Sequence, residues 1–101
     1  MSDKNTLRVP RYKGGAPLMI RRLTGAPRSG GGWSGRFELE PRGQADALTA
    51  WIEAEYYADR GIPPMTITGS DTQGEYRYDA VALMFEGGDA FRFDASTREG
   101  I

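Results

Sequence analysis

The sequence of 101 residues contains neither cysteine nor histidine. Without cysteine, the chain can form no disulfide and no thiolate metal site. Without histidine, it lacks the side chain that most often transfers protons near neutral pH, which is also the commonest metal ligand. A Ser-His-Asp catalytic triad is therefore excluded.

Long apolar runs are also missing. No stretch approaches the roughly 20 apolar residues that span a bilayer. The first five residues are mostly polar and lead into no apolar segment of the kind found in signal peptides. We therefore expect a protein that is made and used in the cytoplasm, without membrane contact.

The carboxylates give no sign of catalysis. Glu38, Asp79 and Asp94 occupy the polar phase of alternating segments, where charged side chains normally face solvent. Gly32-Trp33-Ser34-Gly35-Arg36 resembles a nucleophile elbow, but arginine stands where that pattern needs glycine, and no histidine could activate Ser34. We expect a protein that is not an enzyme and that needs no cofactor and no metal.

Charge is unevenly distributed along the chain. Residues 1–36 carry eight bases and one acid, 8 − 1 = +7, whereas residues 37–101 carry five bases and thirteen acids, 5 − 13 = −8. Such an asymmetry is typical of a basic arm that binds an acidic partner. The alternative is that the two halves pair with each other, and the sequence does not distinguish these interpretations.

Hydrophobic periodicity predicts one helix among several strands. Residues 44–60 have apolar side chains at helical spacing, and Gly61 with Pro63-Pro64 marks the end of the helix. Pro41, which follows Glu40, is an alternative first residue of the helix. Alternating segments on both sides predict strands in the order β-β-α-β-β-β. We expect an α+β domain over residues 18–95, in which the long helix packs on a mostly antiparallel sheet. Residues 1–17 are expected to form an extended basic arm, and residues 96–101 a short free tail.

The same periodicity predicts the core and one irregularity. The alternation changes phase between Tyr78 and Val81, which indicates a β-bulge near Asp79-Ala80. Ten side chains are expected to be mostly buried: Phe37, Leu39, Leu48, Trp51, Ile52, Ile67, Val81, Leu83, Phe91 and Phe93.

Cations, glycines and aromatic residues are interspersed in the first third of the chain. Such segments can follow phosphates and stack on bases, but they can also join one subunit to the next in an assembly. We favour protein partners, in a homo-oligomer or larger assembly, over nucleic acid, because the body of the chain is acidic. The candidate partner-binding residues are Arg8, Arg11, Tyr12, Lys13, Arg21, Arg22, Arg28, Trp33 and Arg36.

The layout from Trp33 onward resembles the small proteins of phage tails, especially the tail-tube kind. The resemblance lies in the strand Gly35-Arg36-Phe37-Glu38-Leu39, the helix that ends at Gly61, the strand Met65-Thr66-Ile67-Thr68, the hairpin strand at residues 75–81 and the closing strand Phe91-Arg92-Phe93-Asp94. It implies a structural subunit of a virion (tail, neck or capsid-associated) that forms rings or tubes. Small phage-encoded inhibitors of host defence, such as anti-CRISPR proteins that bind a host nucleoprotein complex, share the same general features and are the alternative. A nucleic-acid-binding accessory protein that uses the basic arm is a further alternative.

Overall fold

A computed structural model describes residues 5–59, 65–71 and 74–100 of the chain. The described part contains six strands and one α-helix. In chain order they are β1 (Asn5–Arg8), β2 (Leu18–Pro27), β3 (Trp33–Leu39), α1 (Gln44–Tyr57), β4 (Met65–Asp71), β5 (Gly74–Gly87) and β6 (Ala90–Gly100).

The strands close into a barrel in the order β1-β2-β3-β6-β5-β4, and β1 pairs with β4 to complete it. All neighbouring strands are antiparallel. The predicted fold, an α+β sheet with a long helix packed on it, is therefore wrong. The antiparallel pairing was expected, but closure was not, because alternation along single strands carries no information about which strands meet at the two edges.

Strand β1 accounts for most of this difference. Leu7 lies opposite Leu18 of β2 and opposite Ile67 of β4, so this short strand joins the two edges of the sheet. Leu7 and Val9 are almost completely buried. Residues 5–17 are therefore not an extended basic arm. Four residues are too short a segment for alternation to stand out, and Val9-Pro10 has the composition of a turn. Residues 1–4 lie outside the described part.

The barrel interior is filled by apolar side chains from every strand, and Ala45 and Leu48 of α1 belong to the same buried cluster. Six of the ten predicted core residues are buried: Phe37, Leu39, Leu48, Ile67, Phe91 and Phe93. Trp51, Ile52 and Leu83 are half-buried against this core. Val81 is 55% exposed, so its placement in the core was wrong.

The predicted bulge explains where Val81 goes. The register between β5 and β6 shifts between Asp79 and Ala80 and again between Ala80 and Ala82, which confirms an irregularity at the expected place. Ala80 lies opposite Ala95 and Ala82 lies opposite the next residue, Asp94, so Val81 is the extra residue of the bulge and has no partner on β6. Leu83 and Phe85 then lie opposite Phe93 and Phe91 and share their face of the sheet.

Helix α1 begins at Gln44, the first residue of the predicted segment, and not at the alternative Pro41, and its described part ends at Tyr57. The predicted stop at Gly61 and Pro63-Pro64 lies outside the described residues. Leu48 is fully buried beneath the helix, and Trp51 meets the ring of Tyr12 edge-on at 5.4 Å.

Strand β6 is longer than predicted. Residues 96–100, expected to form a free tail, continue β6 and pair with the first half of β5, with Thr97 opposite Asp79 and Gly100 opposite Tyr76. Polar side chains conceal this pairing in the sequence, since they give the segment no apolar alternation.

Candidate binding surface

The nine predicted partner-binding residues do not form one surface. Arg21, Arg22 and Arg36 lie on β2 and β3, and Arg28 lies in the turn that connects these strands. Arg8 is exposed at the end of β1. The remaining four lie beside α1 or at the mouth of the barrel: Arg11, Tyr12, Lys13 and Trp33.

The two aromatic members of this set pack inside the protein. Tyr12 is only 7% exposed and contacts Trp51. Trp33 is half-buried, with its ring edge-on to Tyr78 at 5.9 Å. The guanidinium of Arg98 lies 4.2 Å from the ring centroid of Tyr76 and 5.3 Å from that of Trp33, which makes a cation–π cluster at this end of the barrel.

Most of the predicted cations pair with acids of the chain's own second part. Arg11 contacts Glu55 at 3.7 Å, Arg28 contacts Asp94 at 3.9 Å, and Arg36 contacts Glu86 at 2.8 Å. The charge asymmetry of the sequence is therefore largely neutralised within the fold. Of the two interpretations that the sequence left open, internal pairing accounts for most of the basic residues.

A β-bulge concentrates cations on the outer side of β2. Arg21 lies opposite Glu38, and the next pair is Thr24 with Arg36, so Arg22 and Leu23 face Phe37 alone. Arg22 adopts a left-handed conformation with φ of 55°. Successive side chains of a regular strand point to opposite faces, and the bulge removes this restriction.

As a result, two consecutive arginines reach one carboxylate. Arg21 donates a hydrogen bond from Nε to Oε1 of Glu38 at 3.0 Å, and Arg22 donates one from Nη1 to Oε2 at 3.3 Å. The hydrogen bond from Arg21 is the main reason why the pKa of Glu38 lies below its ordinary value. Glu38 therefore stays ionised and holds both side chains in place.

A second group of the same composition lies on the neighbouring strands. Arg36 of β3 is directly opposite Arg92 of β6, a pairing of like charges that is unfavourable on a sheet. Glu86 lies between them, with carboxylate oxygens 2.8 Å from Nε of Arg36 and 3.8 Å from Nε of Arg92. Two shallow depressions join the two groups, because Thr24 and Arg36 line both.

We call these residues the arginine face: Arg21, Arg22, Arg36 and Arg92 with Glu38 and Glu86. Four arginines against two glutamates give 4 − 2 = +2. The arginine side chains are between 42% and 77% exposed, whereas the glutamates are 26% and 27% exposed. The carboxylates thus lie beneath the guanidinium groups, which turn their remaining N–H donors toward solvent.

Exposed apolar side chains lie on both faces of β5, the strand on the far side of β6 from β3: Met84 is opposite the outward Arg92, whereas Phe85 is opposite the inward Phe91. Val81, Met84 and Phe85 of β5 are 55%, 39% and 40% exposed. Between β5 and α1 there is a groove of about 370 Å³, lined by Thr49, Ile52, Glu53, Leu83, Phe85 and Phe91. At the end of α1, Tyr56 and Tyr57 are also exposed.

Comparison of the chain with protein-family models, with curated proteins and with solved structures finds no match. The surfaces themselves are therefore the only guide to function.

Residues 5–59, 65–71 and 74–100 contain no group of three or more acidic side chains that could hold a metal ion. No helix in this part of the chain has the length and apolarity that crossing a membrane requires.

Sequence reasoning missed Glu86 and Arg92. The polar phase of Arg92, between the inward Phe91 and Phe93, predicts that it faces solvent, but its position beside Arg36 depends on the pairing of β3 with β6. These strands are separated by a helix and two further strands in the sequence. No local sequence pattern predicts a pairing between strands so far apart in the chain.

Proposed function

We propose that this protein is a non-catalytic assembly subunit that works by binding other protein subunits, including copies of itself. The observation that carries the proposal is the exposure of large apolar side chains on a small barrel: Tyr56, Tyr57, Val81, Met84 and Phe85. Tyr56 and Tyr57 are in contact, with ring centroids 5.4 Å apart, and contiguous exposed apolar side chains on a soluble domain are typical of protein-binding surfaces. Tyrosine, methionine and arginine are the residue types enriched at such interfaces.

Nucleic acid is a weaker candidate. Proteins that follow single strands combine a positive groove with aromatic rings on which bases stack. The described outward-facing residues of β2, β3 and β6 include arginines but no aromatic ring, since Trp33, Phe37, Phe91 and Phe93 belong to the inner face. The arginines are also partly neutralised by Glu38, Glu86 and Asp94.

The virion role is one form of this proposal, with host cytoplasm as the compartment of synthesis. It rests on the layout of the sequence from Trp33 onward, whereas the inhibitor alternative rests on the small size and uneven charge of the chain.

Light scattering coupled to size-exclusion chromatography tests the proposal on the full-length chain. We expect a molar mass above that of one chain, and Tyr57→Ser and Met84→Ser should each lower it, because each removes exposed apolar surface without touching the core. Ala16→Ser, at an exposed position in the connection between β1 and β2, is the control. A monomeric wild type that binds labelled single-stranded DNA tightly would overturn the proposal in favour of nucleic-acid binding.

A further inference from the structure

The arginine face has N–H donors and positive charge in excess of what its described acidic neighbours pair with. Each carboxylate serves two guanidinium groups, and one guanidinium carries five N–H donors. A planar guanidinium fork is well suited to a second carboxylate. The face is therefore prepared for an acidic ligand, and Glu38 and Glu86 fix the orientation of the arginines before the ligand arrives.

The solvent side of α1 has the complementary character. Asp46, Ala50, Glu53 and Tyr57 follow one another at intervals of four, three and four residues, so they lie on one line along the helix. All four are exposed. The described helix contains three acidic residues and no basic residue. Of these acids, only Glu55 pairs with a described arginine, Arg11. We call the line of Asp46, Ala50, Glu53 and Tyr57 the acidic stripe.

Within one molecule the acidic stripe and the arginine face are not joined. Among the described residues, the arginines of the arginine face form their ion pairs with Glu38 and Glu86, and none with Asp46 or Glu53. Glu53 is exposed at the edge of the groove between α1 and β5. The acids of the stripe are therefore available to a second copy.

The spacing of the acids along the stripe matches the spacing of the arginines across the arginine face. Asp46 and Glu53 are two helical turns apart, about 10 Å. Arg22 and Arg92 stand on strands separated by β3, which is two strand spacings or about 10 Å along the sheet. Tyr57 then extends beyond Glu53 at the end of the helix, where its ring can stack on a guanidinium.

We propose that the acidic stripe of one copy docks on the arginine face of the next. This inference rests on the proposed self-association and specifies its geometry. Such a contact joins two different patches and is therefore heterologous, so that repetition produces a ring if the rotation closes and a filament if it does not. Complementary charge steers the encounter and fixes the orientation.

Charge reversal tests the pairing on the full-length protein. Arg92→Glu makes the arginine face less basic, and Glu53→Arg makes the stripe less acidic. Each variant alone should associate about ten-fold more weakly or worse by sedimentation velocity, which corresponds to about 1.4 kcal/mol. An equimolar mixture of the two should recover association, because each variant then offers the complement of the other's altered surface.

The control is Arg77→Glu, which makes the same change of charge at an arginine that pairs with Glu99 outside the arginine face. It should leave association unchanged. Thermal melts establish that each variant is folded. If Arg92→Glu or Glu53→Arg does not fold, the neutral substitution Arg92→Gln or Glu53→Gln takes its place.

Three results are informative. Recovery in the mixture supports the head-to-tail contact. Association of the wild type that neither reversal weakens would overturn the contact and leave the proposed function standing. A wild type that remains monomeric at every concentration would overturn both.

Discussion

Tyr78 packs against Gly25 so closely that a β-carbon at residue 25 would overlap the tyrosine hydroxyl. Tyr78 is almost completely buried, and its ring is fixed by Trp33, Tyr76 and Phe93 at centroid distances of 5.9, 5.5 and 5.1 Å. The ring therefore has nowhere to move. Residue 25 of β2 must therefore be glycine, because the Tyr78 side chain fills the space that a β-carbon would occupy. Tyr78 belongs to the same aromatic cluster as Arg98.

Gly25→Ala should accordingly destabilise the protein. Forcing a methyl group into a filled site costs about 1–3 kcal/mol. The free energy of unfolding in urea measures this cost. Gly30→Ala is the matched control, because no atom lies within 4 Å of a β-carbon at residue 30. Equal midpoints for the two variants would show that the aromatic end of the barrel yields to the added methyl.

Truncating Leu7 should weaken barrel closure. The side chain is fully buried and lies between β2 and β4, so Leu7→Ala leaves a cavity and should lower the free energy of unfolding by about 2–5 kcal/mol. Arg8→Ala, at the exposed neighbour, should have little effect. If Leu7→Ala were as stable as Arg8→Ala, residues 5–8 would be an arm after all.

Glu86 should stabilise the wall of the barrel by separating two like charges. Glu86→Gln leaves Arg36 directly opposite Arg92 without a carboxylate between them, which should cost about 0.2–1 kcal/mol. In an Arg92→Gln background the same change should cost less, and the double-mutant cycle in urea measures the difference. A cycle with no coupling energy would contradict the bridging role of Glu86.

Glu38 should contribute to stability in a pH-dependent way. Its pKa is lowered in the folded protein from the ordinary value of 4.5, chiefly by the hydrogen bond from Arg21. A lowered folded pKa means that the contribution is present above about pH 4.5 and is lost as the pH falls through the folded value. The melting temperature of the wild type should therefore exceed that of Glu38→Gln at neutral pH, and the gap should narrow in acid. Glu40→Gln, at an exposed position, is the control. A gap that does not change with pH would show that the loss is steric.

Local pattern was sufficient for most elements of this fold. The start of α1 at Gln44, the inward Phe37, Leu39, Phe91 and Phe93, and the bulge near Asp79-Ala80 all follow from periodicity in single segments. These features depend on neighbours in the sequence, which is why they could be predicted.

What could not be predicted depends on contacts between distant segments. Leu7 becomes a core residue only because β1 pairs with both β2 and β4, and the arginine face exists only because β3 pairs with β6. The bulge at Arg22 was also unforeseen. It places two consecutive arginines on one carboxylate, and in the sequence Arg21-Arg22 has the pattern of an ordinary strand with one residue on each face.

Sedimentation velocity of the wild-type chain over a range of protein concentrations, at low and at high salt, tests the central claim most directly. We predict reversible self-association that grows with concentration and weakens with added salt, because charged surfaces join the subunits. A single monomeric species under all of these conditions would contradict the account of this protein as an assembly subunit.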